Sequence, residues 1–108
     1  MMVGWRMPFV AAACTLLLAG CASKQVPDDY QPARGQAGKD VIWLPTAQTV
    51  VDRMLDMARV SAGDYLVDLG SGDGRLVITA ARRGARAHGI EFNPDLVALS
   101  RRTARAEG

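Results

Sequence analysis

Val67-Asp68-Leu69-Gly70-Ser71-Gly72-Asp73-Gly74-Arg75 is the stretch that decides how this chain is read. A short apolar run, Tyr65 to Leu69, leads into it, and an aliphatic-rich stretch, Arg75 to Arg83, leaves it. The run suits a buried parallel strand, and the stretch suits a helix packed on a sheet. Glycines at alternate positions let the backbone take positive φ and approach a ligand closely. The helix behind the loop offers free N–H groups at its start. A dinucleotide fold receives a pyrophosphate on such a loop, written G-x-G-x-x-G. Here the third glycine, Gly74, comes one residue too soon, and the strand carries an acid near its end, Asp68. A carboxylate repels a phosphate, so the loop suits a cationic or hydrogen-bond-donating ligand. A nucleotide-binding oxidoreductase is the weaker reading.

Outward from the loop, the pattern alternates. Thr46 to about Arg59 reads as a helix capped by Thr46, with Val50, Val51, Met54, Leu55 and Ala58 on one face. Ser61 to Asp64 is a turn. Gly84 stops the helix after the loop, and Arg86 to Phe92 forms a second strand. Asn93 caps a third helix with Pro94 at its first position, where proline is preferred. Leu96, Val97, Leu99, Thr103 and Ala104 face inward on it. The arginines at 101, 102 and 105 lie toward its end, where cations suit the helix dipole. Strand, helix, strand requires a right-handed parallel crossover, so the fold class is α/β.

Asp68-x-Gly70-x-Gly72-x-Gly74 after a first strand resembles the first motif of the class I, seven-strand, Rossmann-like S-adenosylmethionine-dependent methyltransferases. The resemblance implies S-adenosyl-L-methionine as cofactor. It places the glycine loop, Gly70, Ser71, Gly72 and Gly74, under the cofactor's methionine and ribose part. It gives Asp68 the amino-acid end. It gives the ribose hydroxyls to an acid ending the next strand, here Glu91, 21 positions after Gly70. One carboxylate can accept from two hydroxyls, so the residue type has a physical reason. Dinucleotide folds use a similar offset of about 20 residues, so the combination with the loop is what discriminates.

Pro45-Thr46 before a helix, the DLGSGDGR loop and the run Gly89-Ile-Glu-Phe-Asn-Pro-Asp-Leu-Val-Ala-Leu-Ser100 resemble a subgroup related to protein-lysine methyltransferases. That implies protein lysine as methyl acceptor. A seven-strand sheet also needs strands for the adenine and for the catalytic residues. The expectation is that residues 45–108 hold the first two strands and three helices of such a domain, a fragment without assignable catalytic residues.

The chain's start reads as an address. Phe9 to Gly20 is almost wholly apolar after Arg6, too short for a span of about 20 residues and suited to a signal peptide. It ends in Leu18-Ala19-Gly20-Cys21, which resembles the lipobox of bacterial lipoproteins. Residues 1–20 are then a signal peptide. Residues 21–44 are a lipidated Cys21 and a linker punctuated by Pro27, Pro32, Gly35 and Gly38, with Lys39 to Thr46 read as ordered. Ala22 favours the outer membrane, with the protein facing the periplasm. The cofactor is a cytoplasmic compound, so a cytoplasmic protein with an unused signal is the alternative location. An exported lipoprotein that keeps the fold as a binding module, without methyl transfer, is the alternative function.

The composition excludes other classes. Two cysteines, Cys14 and Cys21, and one histidine give neither a disulfide scaffold nor a metal site. Thirteen basic and eleven acidic residues leave +2, too near neutrality to argue for nucleic acid. His88 reads as a half-exposed strand residue, and Trp43 as packing on the first helix, with a cover for the cofactor site as the weaker reading. Asp73 and Arg75 divide evenly between a ligand-loop role and an ion pair at the helix start. Nothing in the sequence addresses oligomeric state.

Overall fold

The computed structural model describes residues 26–36 and 42–108. The apolar start, its lipobox and Cys21 lie outside the described residues. The order is α1 (Gln48–Met57), β1 (Tyr65–Leu69), α2 (Arg75–Arg82), β2 (Arg86–Ile90) and α3 (Pro94–Glu107). The two strands pair in parallel, with Tyr65 opposite Arg86, Val67 opposite His88 and Leu69 opposite Ile90. This is the expected strand–helix–strand crossover.

Local chemistry sets most of the boundaries. Gly84, at φ 86°, ends α2, with its N–H donating to the Ala81 carbonyl at 2.8 Å and that of Ala85 to Ala80 at 3.2 Å. Asn93 caps α3 as expected: its Oδ1 accepts from the Asp95 N–H at 3.0 Å, ahead of Pro94 in the first turn.

Two boundaries differ from expectation. α1 starts at Gln48 with Ala47 as its N-cap, so Thr46 is not the cap. The Val50 and Val51 N–H groups donate to the Ala47 carbonyl, and the Thr46 carbonyl is taken by the Arg75 guanidinium. β2 ends at Ile90 rather than Phe92. The Ile90 carbonyl accepts from both Gly70 and Ser71, at 2.7 and 3.0 Å, so the ladder closes there and the chain turns away.

Packing joins α1, α2 and one face of the sheet. Val51, Leu55, Ala80 and Ala85 are buried, with Val60, Leu66, Leu76 and Ala87 packed around them. Of the expected α1 stripe, only Val51 and Leu55 are buried; Val50, Met54 and Ala58 are exposed. On α3, Leu96 is buried and Val97 and Leu99 are partly covered, whereas Thr103 and Ala104 are exposed. Polar contacts set the helix pairing. Gln48 Nε2 donates to Thr79 Oγ1 at 3.0 Å, and Arg83 reaches the Asp56 carboxylate at 2.7 Å and the Asp52 carbonyl at 3.1 Å.

The composition of β1 predicts burial, and the described chain covers the strand on one side only. Leu66 and Asp68 face the helices, while Tyr65, Val67 and Leu69 are exposed. A parallel strand needs layers on both faces to be buried, and α2 supplies one. With so small a core, each buried side chain matters. Leu55→Ala is expected to cost about 2–4 kcal/mol through lost transfer energy and cavity formation, read as a lower midpoint in urea denaturation.

Candidate functional site

The site is built where β1 and β2 end side by side. The glycine loop leaves β1 with φ of 83°, 56° and 82° at Gly70, Gly72 and Gly74, a left-handed conformation that L side chains rarely adopt. Two of these positions are also closed to a side chain by space. A Cβ on Gly72 would lie 2.9 Å from Trp43 Nε1, and one on Gly74 would overlap the Ser100 side chain. Gly74 is the N-cap of α2, and its N–H donates back to the Ser71 carbonyl at 2.9 Å. Ser71 packs over Gly89 of β2.

Glu91 ties the parts together. Its Oε2 accepts from the Gly72 N–H and its Oε1 from the Asn93 N–H, each at 2.8 Å. One carboxylate thus holds the loop after β1 and the turn into α3. Each oxygen keeps a second acceptor direction, so two donors of a ligand can still be received.

Asp68 stands on β1 at the same end, opposite Gly89. Its carboxyl is pushed above the ordinary range, first by desolvation and then by the negative charge of Glu91. Two carboxylates in one partly closed cleft favour a ligand that brings positive charge or donors.

These residues line a cavity of about 680 Å³, within the range of small-molecule sites. Asp68, Gly70, Ser71, Gly72 and Glu91 all border it. Gly74 does not; its part is to start α2. The opposite wall comes from the segment before α1, Ile42 to Thr46, together with Gln36. Of this wall the sequence pattern anticipates only Trp43, as the weaker of its two readings. Trp43, expected to pack on α1, lies against Gly72, with its ring nitrogen over the loop. Residues 26–36, expected as linker, form turns whose end docks on Trp43: Gly35 N–H donates to the Trp43 carbonyl at 2.8 Å and Trp43 N–H to the Gln36 carbonyl at 3.1 Å. An isolated aromatic in a Pro- and Gly-punctuated stretch is the one signal the sequence offers for it.

His88 is exposed on β2, away from the cavity lining. Among the described residues no group of three or more His, Cys, Asp or Glu could hold a metal ion.

Comparison with known proteins agrees with the fold. A protein from Salinibacter ruber, solved as an RNA methyltransferase in complex with S-adenosyl-L-homocysteine, superposes with a TM-score of 0.58 at 57% identity, over 59% of this chain and 42% of that one. The described elements have the α/β fold of class I methyltransferases. A protein-lysine N-methyltransferase of Saccharolobus islandicus is 46% identical over 59 residues, 53% of this chain and 37% of the relative. An ATP synthase lysine N-methyltransferase of Xenopus laevis is 48% identical over 66 residues, 61% of this chain and 29% of the relative. The matches thus span less than half the length of each of these proteins. No protein-family profile matches the chain.

The raised carboxyl of Asp68 has a cost. The folded protein holds this proton more tightly than the unfolded chain does, so stability falls as pH rises from the ordinary carboxylate range through the raised value. Asp68→Asn removes that loss. The variant is expected to melt higher than the parent at pH 7, with the two curves converging toward about pH 3, below the ordinary carboxylate range, measured by thermal denaturation across pH.

Proposed function

We propose that this chain carries the cofactor-binding part of an S-adenosylmethionine-dependent methyltransferase. The observation that carries the reading is the cleft itself, in which a left-handed glycine loop is pinned to a carboxylate that keeps spare acceptor capacity. The donor set fits the group. Glu91 would accept from the two ribose hydroxyls, one on each oxygen. Asp68 would face the ammonium of the amino-acid end, and its raised proton affinity would drop when that charge arrives. The loop backbone at Gly70 and Gly72 would let the ligand lie close, since no Cβ intervenes. The bound cofactor supplies an electrophilic methyl group on a sulfonium. The chain's own part is to fix where that methyl points and to keep water out with the 42–46 segment.

Protein lysine is the acceptor this reading favours, supported by the two lysine methyltransferases that are 46% and 48% identical over 59 and 66 residues. The Salinibacter ruber protein supports RNA as the second acceptor class, at 57% identity over 59% of this chain. The site residues named here are all given to the cofactor, and no catalytic residue is named.

Calorimetric titration with S-adenosyl-L-homocysteine tests the cofactor reading. Saturable binding is expected, weakened about tenfold or more in Glu91→Ala and in Asp68→Ala through lost charge-assisted hydrogen bonds. Unchanged affinity in both variants would sink the reading and favour the fold as a binding module for something else. With radiolabelled methyl donor and cell extract, a complete methyltransferase domain carrying these residues should place label as methyllysine in protein. Ribonuclease-sensitive label would move the acceptor to RNA.

We also infer, from Leu18-Ala19-Gly20-Cys21, a lipid anchor at Cys21 on the periplasmic face of a membrane, the outer one by Ala22. Metabolic palmitate labelling that is lost in Cys21→Ser is the expected result, and equal labelling of the two would refute the anchor.

A further inference from the structure

The Arg75 side chain does more than start α2. Its Nε donates to both Asp73 carboxylate oxygens, at 3.0 and 3.1 Å, and its Nη2 to Asp73 Oδ2 at 2.5 Å. Its Nη1 donates to the Thr46 carbonyl at 2.7 Å, across 29 positions of sequence. The fork therefore grips the glycine loop with one side and the segment before α1 with the other. Asp73 lies between Gly72 and Gly74, and Trp43, three residues before Thr46, rests its ring on Gly72. The contacts close a circuit: Gly72 to Trp43, along the chain to Thr46, through Arg75 to Asp73, and back to the loop.

The pair is partly shielded, with side-chain exposures of 32% for Arg75 and 18% for Asp73, so it is screened less than a surface ion pair. Trp43, Asp73 and Arg75 also line a second cavity of about 370 Å³ as well as the larger one. They form the shared wall, and moving that wall changes the space beside the loop. Planar geometry matters here, because five donors in a fixed fork can serve a carboxylate and a carbonyl at once, whereas a lysine ammonium cannot span both.

We propose that Arg75 is a positioning residue that holds residues 42–46 and the Trp43 indole as a preformed roof over the glycine loop. A roof fixed in advance spares a ligand the entropy of ordering it. The effect on affinity rests on the S-adenosyl reading above; the effect on Trp43 does not.

The test uses the whole chain carrying Trp5→Phe, which leaves Trp43 as the fluorophore, since the sequence has two tryptophans. Without ligand, Arg75→Ala and Arg75→Lys should each shift Trp43 emission to the red and raise acrylamide quenching by about twofold, as expected for an indole released to solvent. Helix content by circular dichroism should stay at the parent level for Arg75→Lys, which keeps the charge near Asp73. With S-adenosyl-L-homocysteine, Arg75→Ala should weaken binding about tenfold, yet by less than about twofold when Trp43 is already alanine, because coupled residues are not additive. Unchanged Trp43 quenching in both Arg75 variants would overturn the proposal, as would a full loss of affinity on top of Trp43→Ala. If the parent fails to bind the ligand, the cofactor reading fails, and the quenching comparison still decides the role of Arg75.

Discussion

The carboxylate of Glu91 is the constraint on which the site depends. Two backbone N–H groups, from Gly72 and Asn93, point at it from two separate turns. Hydrogen bonds to a charged acceptor contribute about 1.5–3 kcal/mol each, enough to hold a glycine loop that has few side chains to pack. Without that anchor the middle of the loop, at Gly72, would lose its hydrogen bond to the β2 end, leaving the bonds of Gly70 and Ser71 to the Ile90 carbonyl to hold its start. The same anchor sets the start of α3, because the Asn93 that donates to Glu91 also caps that helix through its own Oδ1. A single side chain therefore joins a strand end, a ligand loop and a helix start.

Around that anchor, the site stores unfavourable electrostatics. Asp68 and Glu91 face the same cleft, and the first is pushed toward its protonated form by burial and by the second. A protein selected for stability alone would not place two acids there, and perturbed groups of this kind gather where ligands bind. The opposing arrangement lies on the rim. There Asp73 is matched by Arg75, whereas among the described residues Asp68 and Glu91 have no basic side chain paired with them in an ion pair.

The legibility of the chain follows the range of the forces. The stop at Gly84 and the Asn93–Pro94 start of α3 rest on local interactions, a few residues apart, and β1 announces itself by its apolar run, so all three are readable from the sequence. Asp68, Gly70, Ser71, Gly72 and Glu91 are readable as a group because the loop and the acid after the second strand have a fixed spacing. Gly74 is readable as part of the loop, but its place at the N-cap against Ser100 is not. The expected Thr46 cap fails because a residue 29 positions away claims its carbonyl. The expected burial of β1 fails because burial depends on a second covering layer, which a strand's own composition only anticipates.

What the sequence determined by itself was the α/β order and the parallel crossover, since each follows from pattern along the chain; the two acids and the glycine loop were marked out by their resemblance to the methyltransferase motif. What only the tertiary structure decided was the roof. Trp43 could pack on α1, the reading its local sequence favours, or over the loop, and residues 26–36 could trail as linker or fold back onto Trp43. The choice was made by hydrogen bonds between segments far apart in sequence, the Arg75 fork above all, and such partners have no periodicity or spacing to betray them.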